Sequence, residues 1–155
     1  MKLKIGDKAP DFAMPTGNNT IISLSNLSGK CVVLYFYPKD DTPGCTIEAN
    51  DFNKLKPEFE KMNAVIVGVS KDNLNSHENF KNKYCLNFDL ASDNNSDTCE
   101  KYGVWAEKSM FGKKYMGIER TTFLIDKQGK IAYIWPKVSV ANHAEEVLKQ
   151  VSKLQ

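Results

Sequence analysis

The sequence predicts an α/β fold in which a central mixed β-sheet is covered by helices on both faces. Three observations lead there. Cys31 to Tyr37 and Ala64 to Ser70 are continuous apolar runs rich in β-branched and aromatic residues, the pattern of strands buried on both faces. Segments with apolar residues at helical spacing alternate with these runs through residue 102. A hairpin pattern and a closing amphipathic segment then end the chain, which suits a mixed sheet. The 155 residues suit one domain, 1–155, large enough to bury about two-thirds of the surface its unfolded chain exposes.

Taken in order, residues 5–29 are rich in turn formers, and short extended pieces at Phe12 to Met14 and Thr20 to Leu24 predict an N-terminal hairpin beside the main sheet. After the strand at 31–37 a turn leads into a helix from about Pro43, with Cys45, Ala49, Phe52, Leu55 and Phe59 on one stripe. Pro57 lacks a backbone donor and crowds the preceding turn, so this helix is expected to stop near Lys56. The second strand, 64–70, is followed by a helix whose start reads as a capping box from Asn75 to Glu78, with Phe80 and Tyr84 on its stripe and Cys85 just past its end. Phe88 to Ala91 reads as a short strand, and residues 92–96 as a polar turn into one helical turn ending near Tyr102. Residues 103–117 read as a long loop or irregular hairpin. Within it, Trp105, Met110, Phe111, Tyr115 and Met116 either cover a sheet edge or line a substrate mouth or partner surface. Ile118 to Asp126 and Lys130 to Trp135 predict a hairpin, and Asn142 with Glu145 a capped final helix carrying Ala144, Val147, Leu148 and Val151.

Composition narrows the function. Lys and Arg total 21 against 19 acidic residues, a formal net charge of +2, and the basic residues are scattered, which argues against a nucleic-acid or membrane surface. There is no stretch of signal-peptide character and none near the roughly 18 apolar residues of a membrane span, so a cytoplasmic protein is expected. The four cysteines, at 31, 45, 85 and 99, are too widely spaced for a zinc knuckle or a C-x-x-C pair, and a disulfide framework does not suit a reducing compartment. His77 and His143 have no ligand neighbours in sequence and are expected on helix surfaces.

The chemistry points to residues 35–48. The strand ends in a turn that delivers Cys45 to a helix start, where unpaired N–H groups and the positive end of the helix dipole favour a thiolate over a thiol. Pro38, Thr42 and Cys45 form P-x3-T-x2-C, and Tyr35 to Ala49 resembles the active-site segment of the peroxiredoxins, more narrowly the bacterioferritin comigratory protein or peroxiredoxin Q group. Gly103-Val104-Trp105 and Gly117 to Asp126 match a second segment of that group downstream.

The resemblance implies a thioredoxin-like fold and a thiol peroxidase that reduces hydrogen peroxide and organic hydroperoxides, recycled by thioredoxin or a similar thiol, with no metal or organic cofactor. It also implies a monomer. Cys45 is then the peroxidatic cysteine and Arg120 its cation. Thr42 would offer a hydroxyl, while Pro38 and Pro43 would stiffen and shield the turn. Glu48 is a candidate to orient Arg120, and Asp40 and Asp41 read as solvated turn residues. Many members of the group carry a resolving cysteine five residues after the first, but Asn50 stands there. Cys31 reads as a core residue and Cys99 as no resolver. Cys85 is the candidate resolving cysteine, with a packed helix-end residue as its bland alternative. A rival reading is a peroxide sensor or stress-induced holdase that uses Cys45 without fast turnover.

Overall fold

The computed structural model describes residues 2–155. Its main sheet has five strands in the order β5 (Asp89–Ser92), β4 (Ala64–Ser70), β3 (Cys31–Phe36), β8 (Thr121–Ile125), β9 (Ile131–Trp135). The central strand β3 lies parallel to β4 on one side and antiparallel to β8 on the other. Beyond them β5 adds in parallel and β9 antiparallel, so the sheet is mixed as expected.

Every residue of β3 is buried, because its two faces look into two different cores. Cys31, Val33 and Tyr35 share one core with Phe52, Phe59, Phe80, Val147 and Val151. These come from the three long helices α1 (Pro43–Lys61), α2 (Leu74–Tyr84) and α4 (His143–Ser152), all on one face. Val32, Leu34 and Phe36 enter the other core, with Met14 and Ile22 from the N-terminal hairpin β1 (Ala13–Gly17) and β2 (Thr20–Ser23), and with Cys99 from the single-turn helix α3 (Thr98–Lys101). Helices therefore cover both faces, but the second face owes most of its cover to the hairpin.

Three local expectations need correction. Helix α1 does not stop at Lys56; it runs through Pro57 to Lys61. Pro57 sits on the exposed side, where water can meet the carbonyl left without a donor, and the buried Phe59 fastens the last turns to the core. The cap of α2 is Asn73, not Asn75: its Oδ1 accepts from the Ser76 N–H at 2.8 Å. Asn142 precedes α4 but makes no side-chain cap: its backbone is left-handed (φ 60°), not the extended conformation from which a cap oxygen reaches the first-turn N–H groups.

Residues 103–117 resolve as the hairpin reading. Strands β6 (Trp105–Met110) and β7 (Lys113–Ile118) pair antiparallel across Phe111-Gly112, and both turn residues have positive φ. Of the five apolar side chains there, Trp105 packs against the second core, whereas Phe111 is 97% exposed at the tip and Met110, Tyr115 and Met116 are also exposed. No helix among the described residues is long and apolar enough to cross a membrane.

Candidate active site

Strand β3 ends where α1 begins, and β8 runs back beside it with Phe36 opposite Thr121. That register brings Arg120, the residue before β8, to the mouth of the loop that leads into α1, although it lies far from Cys45 in sequence. Thr42 occupies the N-cap position in an extended conformation and Pro43 the first helical position, where a missing N–H costs nothing. Cys45 follows in the first turn, buried at 1% exposure. Arg120 Nη2 donates to its Sγ at 3.4 Å.

Glu48 lies one turn further along α1 and its Oε1 accepts from Arg120 Nη1 at 2.8 Å, so the guanidinium is held at both nitrogens. Gly44 makes this approach possible: a Cβ there would stand 3.1 Å from Nη2. Burial disfavours charge on Arg120, yet Glu48 and Cys45 keep its pKa above the ordinary value. Glu48 itself is 1% exposed, and its Oε2 has no partner. Burial pushes its pKa up and Arg120 pulls it down; burial wins, and the carboxyl titrates at about 7.

The Thr42 hydroxyl donates to the Lys39 carbonyl at 2.9 Å rather than toward the sulfur, and makes no cap on α1. Pro38 is exposed at the outer edge of the loop. Asn50 is exposed on α1, where no local disulfide can form.

The histidines are not on helix surfaces. His77 is buried at 2% exposure, with Nδ1 2.7 Å from Asp40 Oδ2 and Nε2 3.0 Å from the Ala91 carbonyl. Asp40 is buried too, and does not serve as a solvated turn residue. It also accepts from Tyr37 Oη at 2.5 Å and Ser76 Oγ at 2.8 Å, while its N–H donates to Asp72 Oδ2 at 2.8 Å. Asp40, Asp72 and His77 bring three possible metal-ligand atoms within 4.8 Å of one another, but these atoms already meet protein donors and one another at hydrogen-bond distance. His143 is buried against Phe52 and Trp135 with Nε2 2.8 Å from Thr122 Oγ1. Burial, and secondarily Arg120, lowers its pKa to about 4.

The signal for both histidines was in the sequence. His77 stands three residues before Phe80, and His143 four before Val147, each on the stripe that faces the core.

The other cysteines separate clearly. Cys31 and Cys99 are buried, and burial, which for Cys99 is joined by Asp93, pushes both thiols up. Cys85 is exposed at the left-handed C-cap of α2 (φ 53°), and its carbonyl accepts from Asn53 Nδ2 at 3.0 Å. Asn53 is two turns past Cys45 on α1.

The sequence profile of the AhpC/TSA family matches residues 5–134. Peroxiredoxin Bcp of Bacillus subtilis is 46% identical over 154 residues, spanning 99% of this chain and 98% of the relative. Peroxiredoxin Bcp of Escherichia coli K12 is 41% identical over 146 residues, 94% of each chain. Among solved structures, the Xanthomonas campestris bacterioferritin comigratory protein, described for its alkyl peroxide reduction activity, superposes with a TM-score of 0.92 at 41% identity, covering 100% of this chain and 98% of that one. A mutant of PrxQ from Xylella fastidiosa superposes with a TM-score of 0.93 at 39% identity, covering 99% and 98%.

Proposed function

This chain belongs to the AhpC/TSA family and is a peroxiredoxin of the Bcp and peroxiredoxin Q type, and from that premise we propose that Cys45 is its peroxidatic cysteine. The observation that carries the assignment is the 3.4 Å contact between Arg120 Nη2 and the Cys45 sulfur at the start of α1. The sulfur attacks one peroxide oxygen as the thiolate. The O–O bond breaks, the electron pair leaves on the distal oxygen as hydroxide or alkoxide, and a proton from solvent completes water or an alcohol. Arg120 and the N–H groups at the start of α1 face the charge as it develops, which is where fixed donors lower the barrier. Cys45 is left as a sulfenic acid.

Thr42 completes the site by a rotation of its hydroxyl from the Lys39 carbonyl toward the peroxide. Pro38 and Pro43 restrict the loop that carries it. Hydrogen peroxide and organic hydroperoxides are the substrates, the latter supported by the alkyl peroxide activity named for the Xanthomonas relative.

Cys85 resolves the sulfenic acid: its thiolate attacks the Cys45 sulfur, an S–S bond forms, and the S–O bond breaks to release hydroxide. Asn53, which holds Cys85, lies eight residues past Cys45, and at 1.5 Å of rise per residue that is roughly 12 Å along α1. A disulfide needs its Cα atoms within about 7 Å. The first turn of α1 and the end of α2 must therefore unwind before the bond can form. Thioredoxin or another dithiol then reduces the disulfide. We place the cycle in the cytoplasm, in a monomer whose residues 1–155 act as one domain, without a nucleic-acid or membrane partner.

A steady-state assay with thioredoxin, thioredoxin reductase and NADPH on wild type, Cys45→Ser, Cys85→Ser and Cys99→Ser tests the scheme. Turnover should vanish in Cys45→Ser, fall in Cys85→Ser and persist in Cys99→Ser. Unchanged turnover in Cys45→Ser removes the nucleophile assignment, and unchanged turnover in Cys85→Ser makes the resolving thiol external. Negligible turnover by wild type would favour a sensor.

A further inference from the structure

Two consecutive aspartates in the loop ahead of Cys45 grip α2 at opposite ends. Asp40 holds its first turn through Ser76 and His77. Asp41 holds its last turn: Lys83 Nζ donates to Oδ2 at 2.8 Å and Tyr84 Oη to Oδ1 at 2.7 Å. The loop thus lies along the helix, fastened by one buried clasp and one exposed clasp. The exposed clasp sits four residues before Cys45 and one residue before Cys85. Asp41 reaches its partners from a left-handed backbone (φ 58°), a conformation that aspartate tolerates better than most residues.

On the other side of Cys85, Asn53 takes up the Cys85 carbonyl and the Asn87 N–H. The turn that carries Cys85 is therefore pinned from both flanks, by Asp41 before it and by Asn53 after it. Exposed charged contacts are the weaker kind, screened by water, whereas the Asp40 network is enclosed.

We infer that Asp41 is a positioning residue for the second half of the cycle: with Lys83 and Tyr84 it couples the Cys45 loop to the turn that carries Cys85, so that both segments are held or released together. This rests on the assignment of Cys45 and Cys85 made above. While closed, the clasp holds both segments folded. Its release frees the two segments that must unwind for the S–S bond to form and hydroxide to leave.

The test uses Tyr84→Phe, which keeps the ring packed on Phe80 and removes one donor, and Asp41→Asn, which removes the charge in a residue that also accepts the left-handed backbone. Hydrogen exchange of the reduced proteins is followed in peptides covering residues 42–47 and 83–87. Disulfide formation and first-turnover peroxide consumption are followed separately after one equivalent of hydrogen peroxide. In both variants exchange should rise in the two segments together. The Cys45–Cys85 disulfide should form roughly two- to fivefold faster, the size expected of an exposed charged contact, while the first turnover keeps its wild-type rate. Exchange that is unchanged, or that rises in one segment alone, overturns the coupling. If wild type forms no Cys45–Cys85 disulfide yet exchange rises in both segments, the coupling stands and the resolving role of Cys85 falls.

Discussion

Glu48 should give the peroxide reaction a pH dependence that a single substitution removes. Its carboxyl titrates at about 7, because burial at 1% exposure outweighs the attraction of Arg120. Above that pH the carboxylate holds Nη1 of Arg120 at 2.8 Å with a charge-assisted bond worth about 1.5–3 kcal/mol, and a neutral acceptor supplies roughly half of this. The difference, about 0.8–1.5 kcal/mol of restraint on the guanidinium, corresponds to roughly four- to thirteenfold in rate. The second-order rate of wild type with hydrogen peroxide, followed by stopped flow from pH 5.5 to 9, should therefore rise through an inflection near 7. Glu48→Gln should lack that inflection and run roughly four- to thirteenfold below the wild-type plateau. A Glu48→Gln profile that superimposes on wild type, inflection included, refutes the role of Glu48. An inflection that persists in the variant at another pH belongs to a different group.

The same carboxyl affects stability with the opposite sign to an ordinary surface acid. Its folded pKa lies above the ordinary value of 4.5, so the folded state binds the proton more tightly. The favourable contribution is complete below pH 4.5 and is lost as pH rises through 7, on the order of 3 kcal/mol in all. Burial lowers His143 from 6.5 to about 4, so its contribution is complete above 6.5 and is lost as pH falls through 4, by a similar amount. Between about 4.5 and 6.5 the two slopes oppose each other. Urea unfolding of wild type should vary little over that window. Glu48→Gln should expose stability rising with pH and His143→Asn stability falling with pH; parallel profiles in both variants would remove the argument.

Three further outcomes follow from close contacts. Gly44→Ala places a methyl 3.1 Å from Arg120 Nη2, so the peroxide rate should fall about tenfold, while urea stability holds or rises by up to ~1 kcal/mol from helix propensity; a wild-type rate would mean that the guanidinium adapts. Gly68→Ala drives a methyl to 2.9 Å from the Tyr35 ring and Leu90, both buried, and should cost about 1–3 kcal/mol by urea unfolding, with no cost showing that the two side chains can shift. Tyr35→Phe removes a buried hydroxyl without a partner and should stabilise by about 1 kcal/mol, whereas a loss would reveal an unseen partner for that hydroxyl.

What the sequence made legible was local or periodic. The apolar runs of β3 and β4, the helix start at Pro43 and the hairpin at β8 and β9 each depend on residues within a short window, and each appeared close to its expected place. Pro57 misled because the rule against proline assumes that no tertiary contact holds the turns beyond it, and Phe59 holds them. The candidate site divides in the same way. Cys45, Thr42 and Pro38 are neighbours in sequence, so one short pattern contains all three as candidates. The pairing of Arg120 with Glu48 and Cys45 was expected only through the family resemblance, because physically it depends on the register of Phe36 against Thr121, which no single window of sequence contains.

Asp40 and Asp41 show where such reading stops. Composition makes both solvated turn residues, and for Asp41 the exposure is right. Their roles diverge because adjacent side chains on a turn point to opposite sides. One enters the buried space beside His77, and the other lies along the outside of α2 toward Lys83 and Tyr84. A single loop thus carries a fixed attachment and a releasable one. That division suits the cycle proposed above, whose first step uses Cys45 packed beneath Arg120 and whose second frees the same cysteine to meet Cys85, since Asn50 puts no thiol at the nearer position on α1.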